Sequence, residues 1–416
     1  MRAPHLVAAA MAIVLAVAAA LLTASVAERV EDQNIHALGP RLFPLKNQGS
    51  ALQRAALRQP DLLPVYGSSE LKYRSRYDAA TIFADYPTGF TIAPIGANGS
   101  ASLIAAQHLA SAGPCRADHK LVISLSPSFF FHPMSAPEVY AGNFSAMHAH
   151  ELIFSSHLSH GLKRDIARRM LDYPETLTDQ PLLALALTGI ADDSWRGRVR
   201  YHLLQPLGML RTYWWRFQDH WATLEFMQAN PDMLKDGPRS QRDIDWQRLA
   251  RRAAESYRKE SDNNPFGFDN GRWLEEFQAE AREQRGTQND AAFLAAMAES
   301  KEWTDFDLLM RTAGELDCAP LVLSMPVPEV YYAYLGISPG AARTYYTRLR
   351  AAAGAHAAPV VDFADHGADK EFLADPHYHL SRKGWVHYAY ALDAFYHDRL
   401  PYTLPDPAVS PPGTDE

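Results

Sequence analysis

Between residues 62 and 127, short apolar runs alternate with helical patterns, and this alternation constrains the fold more than any other feature. "LLPVY" (62–66), "FTIAPI" (90–95) and "KLVISLSP" (120–127) read as strands. Between the second and third lies "GSASLIAAQHLASAG" (99–113), in which Leu103, Ala106 and Leu109 or Ala110 recur at helical spacing. Strand, helix, strand in this order implies parallel pairing through crossover helices. The alternation lapses from about 135 to 312 and then resumes with "APLVLSMP" (319–326), a helix over 339–353 and "APVVDF" (358–363). The expected fold is therefore α/β, an open doubly wound parallel sheet with a large helical insertion.

The interrupted region is rich in aromatic and charged residues. Leu207, Leu210, Trp214, Phe217, Trp221 and Leu224 form one stripe of an amphipathic helix, and Trp246, Leu249, Ala253 and Tyr257 form another. Both stripes are expected to pack into a core. Counted in sequence, residues 1–27 are a membrane anchor or an uncleaved signal and 28–61 an irregular tether laid over the body. Residues 62–134 and 313–403 make the α/β core, 135–312 the insertion, and 404–416 a Pro-rich, disordered tail.

The anchor is expected because no charge falls between Leu6 and Ala27, a run long enough to cross the hydrocarbon core at about 1.5 Å per residue. Arg2 precedes it and Glu28, Arg29, Glu31 and Asp32 follow, which puts the N-terminus in the cytoplasm and the body outside, at the cell membrane. The competing reading is a signal peptide cleaved after Ser25-Val26-Ala27. With a net charge of −8 and no basic block, nucleic acid is not an expected partner. The only two cysteines, Cys115 and Cys318, precede the strands that begin at Lys120 and Ala319. Those strands are expected to be neighbours in the sheet, so a Cys115–Cys318 disulfide at the edge opposite the site is expected in an extracytoplasmic body.

In such sheets sites form at the carboxyl ends of the strands. Gly67-Ser68-Ser69 follows the first strand directly, where a serine nucleophile at a helix N-terminus would have free N–H groups to stabilise an oxyanion. A base is offered by "LADPHYHLSRKGW", in which His379 opens a loop into the last helix and Asp375 precedes it. Serine early, acid and histidine late and close together is the order of an SGNH-type hydrolase. It is not the α/β-hydrolase elbow, since position 71 is Leu and not the Gly of G-x-S-x-G.

The chain resembles the DltD family, SGNH-fold proteins of D-alanyl–lipoteichoic acid biosynthesis. The resemblance is carried by the N-terminal run and by "YGSSEL", "IGANGSASL", "SPSFFF", "YAGNFS", "NNPFGFDN", "YLGIS" with "RTYY", and "HLSRKGW". It implies Ser69 as nucleophile, Gly67 as the turn before it, His379 as base, and Gly99 as a second oxyanion donor beside the N–H of Ser69. It also implies extracytoplasmic transfer of D-alanyl, or a related acyl group, from an acyl-carrying donor to an envelope polymer, with a membrane-bound O-acyltransferase as partner and no cofactor. In an envelope without teichoic acid the acceptor would be another polymer, such as a periplasmic polysaccharide. The chain departs from the family pattern in two places. Asp375 lies four residues before His379 instead of three, so Asp362 and Asp365 stay open as alternatives for the acid, and Ser381 stands where the family has Gly. No Gly-x-Asn-Asp follows the third strand, where Ser126 stands, so the oxyanion hole is expected to rest on backbone donors.

Other polar groups have simpler readings. Glu70 suits a helix first turn, "HAHEL" (148–152) and "HYH" (377–379) read as structural or surface histidines and not as a metal site, and Asn263-Asn264-Pro265 reads as a turn. Lys383 and Trp385 are expected to pack the base loop. Two function classes follow: a serine acyltransferase or esterase, and a non-catalytic envelope partner that positions an acyltransferase or its polymer. Intact Ser69 and His379 favour the first.

Overall fold

The computed structural model describes residues 4–72, 75–116, 119–131, 137–234 and 241–401. Five strands form one parallel sheet: β1 (Leu62–Gly67), β2 (Thr91–Gly96), β3 (His119–Leu125), β4 (Cys318–Ser324) and β5 (Val360–Val361), in the order β2-β1-β3-β4-β5. Every residue of β1 and β2 is buried, which is why these strands read as unbroken apolar runs and not as alternating ones. The chain moves outward from β1 to β2, then returns past β1 to build β3, β4 and β5. The loops leaving β1 and β3 therefore diverge, and this switch point is where open α/β sheets form their clefts.

Between Pro137 and Glu315 every described element is helical. This block does not stand apart from the sheet. Its helix Glu302–Glu315 packs on Ser102–Ala112, its helix Trp246–Arg258 packs on the last helix Arg382–Tyr396, and one hydrophobic cluster runs through both regions. In the Trp246–Tyr257 stripe, Ala253 and Tyr257 are buried and Trp246 and Leu249 pack against the same cluster.

The other stripe is turned outward. Helix Trp195–Ala229 buries Gly197, Tyr201, Gly208, Thr212, Asp219, Thr223 and Met227, and it exposes Leu207, Leu210, Trp214 and Trp221 by 53–66%. Small and polar residues face inward because the neighbouring helices Ala146–Phe154 and Pro181–Ala191 lie close against this side. Periodicity had marked the right stripe and assigned it to the wrong side.

The N-terminal region also differs from expectation. Pro4–Leu38 is one helix with no break after Ala27, and the residues read as a tether continue as helices Pro44–Gln48 and Ala51–Arg58. Among the described residues no helix is long and apolar enough to cross a membrane, so the anchor rests on the sequence run alone. The end of the first helix is tied to the body: buried Glu31 accepts from His220 at 2.7 Å, and Arg58 pairs with Asp32. The expected tail, 404–416, lies outside the described residues.

Cys115 and Cys318 are joined, with Cα atoms 5.3 Å apart and 203 residues between them in sequence. Cys318 opens β4 opposite His119 of β3, so the bond sits at the amino edge of the sheet. Closing so long a loop restricts the unfolded chain by up to ~5 kcal/mol in the chain-entropy account. We expect no free thiols in protein purified without reductant, and an unfolding free energy lowered by several kcal/mol in Cys115→Ser/Cys318→Ser; two free thiols on titration under denaturing conditions would contradict the fold at this edge.

Glu302 is buried and accepts the Ser102 N–H at 2.9 Å, at the start of helix Ser102–Ala112. Burial, reinforced by nearby Asp305, pushes its carboxyl up to about 8. A native carboxyl raised above its unfolded value keeps a proton that the unfolded chain releases, so stability falls as pH rises from the ordinary 4.5 towards about 8. Glu302→Gln keeps the acceptor and removes the titration. Its stability relative to the parent should therefore climb across that window and level off above it; denaturant unfolding of both proteins at stepped pH measures this, and a constant difference would refute it.

Candidate functional site

The site begins where β1 ends. Gly67 pairs with Gly96 at the tips of β1 and β2, and a Cβ on Gly96 would lie 1.9 Å from the Gly67 carbonyl oxygen. Two glycines are needed for the strand ends to stay that close while their loops part. Residues Ser69–Lys72 form a single 3-10 turn. So short a turn carries little dipole, and any oxyanion stabilisation has to come from individual N–H groups and not from a helix terminus.

Glu70 folds back beneath this turn. It is 2% exposed and its carboxylate accepts the Ser68 N–H at 2.8 Å, so it shapes the turn instead of decorating a helix start. Burial raises its pKa, while the N–H groups of Ser68 and Glu70 itself, the Ser124 hydroxyl and His379 work in the other direction. Ser68 is buried too. Its Oγ accepts the Gly99 N–H at 2.9 Å and donates to the Ala97 carbonyl at 3.3 Å, pinning the β1 turn to the loop after β2. That loop is held from beyond by Asn143 of "YAGNFS", which donates to the Asn98 carbonyl at 2.9 Å and accepts from Ser100. Gly99 is thus beside the turn, with its N–H given to Ser68 and not left open.

Of the two serines, only Ser69 is partly exposed, and its Oγ lies 3.1 Å from His379 Nε2. His379 Nδ1 lies 2.7 Å from Asp375 Oδ2. Asp375 is fully buried, and its other oxygen accepts the His377 N–H at 2.8 Å. Because Asp375 can only accept, the proton on the imidazole belongs on Nδ1, which leaves Nε2 free to accept from the Ser69 hydroxyl. Asp375, Pro376, His377 and Tyr378 form a tight loop closed by the Ala374 N–H to His379 carbonyl bond at 2.7 Å, with Tyr378 at φ +68°. This loop lets an acid four residues upstream reach the histidine ring. His377 points elsewhere: it is exposed and sits edge-on to Phe277. Asp362 is engaged by Arg350 at 2.7 Å, and Asp365 lies in the separate turn Ala364–His366.

One member of the cluster was not foreseen. Arg272, from the helical insertion, donates to Asp375 Oδ2 and lies 3.2 Å from His379 Nδ1. The segment "NNPFGFDN" exists to put it there. The Asn264 side chain binds Phe268 through both its N–H and carbonyl, Asp269 N–H donates to the Ala374 carbonyl, and the Asp269 carboxylate caps Arg272 N–H at 3.0 Å. Gly267, at φ +75°, allows contact with the base loop: a Cβ there would fall 1.6 Å from the Lys370 carbonyl oxygen. A short π-helical turn, Trp273–Phe277, follows and brings Phe277 and Glu276 against the guanidinium. The only sequence signal was a motif with no evident local reason to exist.

Behind the base loop, Lys383 is buried and its Nζ lies 2.5 Å from Asp369, while Trp385 is buried and Ser381 caps the last helix by accepting the Gly384 N–H. Burial opposes charge on Asp369, but bonds from His366 and Lys383 hold its carboxyl well below the usual range. Among the described residues no group of three or more His, Cys, Asp or Glu is placed to hold a metal ion. His148 and His150 are buried, and burial lowers each to about 4. Lys383→Ala leaves Asp369 charged without its main partner, so we expect a loss of about 3–5 kcal/mol in denaturant unfolding; a change under about 1 kcal/mol would show the pair is not the pin that holds this loop.

A serine hydroxyl, an imidazole, a buried carboxylate and a guanidinium thus share one chain of contacts at the switch point of the sheet. The family model described as DltD protein matches residues 40–397. Protein DltD of Bacillus subtilis (strain 168) is 26% identical over 394 residues, covering 92% of this chain and 93% of that protein. Protein DltD of Staphylococcus aureus (strain NCTC 8325 / PS 47) is 23% identical over 386 residues, again covering 92% and 93%. With the family pattern spanning nearly the whole body, from the first loop after the N-terminal helix to the end of the last, this chain belongs to the DltD protein family.

Proposed function

We propose that this protein is an extracytoplasmic serine acyltransferase of the cell envelope, held at the membrane by its N-terminal run. The observation that carries the reading is the contact chain from Ser69 Oγ through His379 to Asp375, at 3.1 and 2.7 Å. Ser69 Oγ attacks the carbonyl carbon of an acyl ester or thioester while His379 Nε2 takes the hydroxyl proton. Asp375 stabilises the imidazolium, and Arg272 keeps that carboxylate turned toward the ring. The tetrahedral oxyanion is met by the Ser69 N–H and, once Ser68 Oγ turns away, by the Gly99 N–H. Collapse expels the donor's alcohol or thiol, which takes the proton from His379 and leaves an acyl-serine. A polymer hydroxyl then gives its proton to His379, attacks the ester and carries off the acyl group as Ser69 is restored.

Family membership supports D-alanyl as the acyl group and a membrane-bound O-acyltransferase as the partner that presents it. The N-terminal run supports residence at the membrane, since residues 6–27 carry no charge, and Arg2 before it with Glu28, Glu31 and Asp32 after it supports a body on the outer face.

A serine-directed fluorophosphonate, applied to the full chain in detergent with mass mapping of the adduct, tests the reading. We expect the label on Ser69 and none on Ser68, and its loss in Ser69→Ala with unchanged circular dichroism. His379→Ala should slow labelling by roughly three orders of magnitude or more, His377→Ala little, and Ser69→Ala should add nothing to His379→Ala in turnover of an activated ester. Arg272→Ala should slow labelling about 100-fold, the scale of a misplaced catalytic group. A folded protein whose Ser69 resists the probe would instead favour the non-catalytic partner that positions an acyltransferase or its polymer.

A further inference from the structure

Helix Trp195–Ala229 is built inside out for a globular protein. Trp195, Val199, Leu203, Leu207, Leu210 and Trp214 recur every three or four residues, Trp221 follows two turns further on, and each is 48–76% exposed, with Tyr213 beside them. So continuous an apolar face on a helix calls for an occupant. The face borders a groove of about 1260 Å³ that is also lined by Ala24, Ser25 and Glu28 of the N-terminal helix and by the segment from Asp179 to Leu182. It is therefore continuous with the exposed side of that helix, where Val14, Leu15, Leu22 and Val26 are 58–67% exposed.

Charge tells what the occupant is. From Trp195 to Gln218 there are five arginines and no acidic residue, in a chain whose net charge is −8. Arg196 and Arg211 lie over the rings of Trp195 and Trp215 at 5.5 and 4.8 Å, so these cations fringe the apolar face, whereas Arg216 is held inward by buried Glu151 at 3.1 Å. Leucines flanked by tryptophan and tyrosine and rimmed by arginine match the depth profile of a bilayer surface: chains, carbonyl region, then anionic headgroups. A soluble protein partner would not call for that ordering.

We infer that the exposed face of helix Trp195–Ala229 docks on an anionic phospholipid bilayer, lying in the headgroup layer beside the N-terminal helix. The contact lies on the membrane surface and does not span it. It rests on the membrane-side placement proposed above but not on the chemistry at Ser69, and the two fail separately, because Ser69 labelling is read in detergent.

The full chain is reconstituted in vesicles of phosphatidylcholine and phosphatidylglycerol, with or without bromine on the acyl chains, and tryptophan emission is compared. Bromine quenches only indoles that reach the chain region. No tryptophan precedes Trp195, so the N-terminal helix contributes nothing to the signal. Trp273, Trp303 and Trp385 are buried in the body. We expect clear bromine-dependent quenching, most of it lost in Trp195→Gln/Trp214→Gln/Trp221→Gln. The Leu203→Glu/Leu207→Glu/Leu210→Glu variant, altered only at exposed positions, should lose it as well while keeping its circular dichroism. Omitting phosphatidylglycerol should weaken it. Equal emission in both lipids, or quenching that survives the triple glutamine variant, overturns the inference. So does protection of the three indoles from both brominated lipid and aqueous acrylamide, which would mean that a second copy or another protein covers the face.

Discussion

The carboxylate of Asp375 is where the two halves of the molecule meet. It is fully buried, and it is satisfied by the His377 N–H, by His379 Nδ1 and by Arg272 from the helical insertion. A buried anion with only some of its donors would be costly, so the insertion and the base loop are obliged to stay together. This explains the contacts that surround it: Gly267 against the Lys370 carbonyl, Asp269 against Ala374, and the base loop pinned from behind by Lys383 and Asp369. The insertion is therefore part of the candidate site and not an ornament on a smaller catalytic core.

A second constraint works at the other end of the contact chain. Gly67 and Gly96 let two strand tips touch, and Glu70 and Ser68 then use the space to lock the turn, one from below and one from the side. Ser69 is left as the polar group of that turn free to face the cleft. The same arrangement occupies the Gly99 amide with Ser68 Oγ at 2.9 Å, tying the turn after β1 to the loop after β2.

The outward stripe on helix Trp195–Ala229 shows where pattern reading fails. A run of large apolar residues at helical spacing marks a face that avoids water, but it does not say what covers that face. Here the inward side is taken by Gly197, Gly208, Thr212 and the buried Asp219, whose carboxylate accepts the N–H groups of Ser50 and Ala51 at 2.9 and 2.7 Å. The first helix likewise looked like an anchor followed by loose chain. The residues after Ala27 instead continue the helix and bury Glu31 against His220.

The amino-acid sequence by itself determined the strand–helix alternation, all five strands, the place of Ser69 after the first of them, and the adjacency of β3 and β4 that let Cys115 meet Cys318. These are local matters of period and composition, together with the topology that an open parallel sheet permits. Candidate roles for Ser69 and His379 were legible because strand ends and chain order both point to them. Only the tertiary structure decided which aspartate reaches His379, because that depends on a loop closed by Ala374 and His379 and not on spacing. It alone brought Arg272 from 103 residues away in sequence to Asp375 and turned the tryptophan stripe outward. Contacts between distant segments are set by which buried groups must be satisfied in three dimensions, and no periodicity along the chain records that.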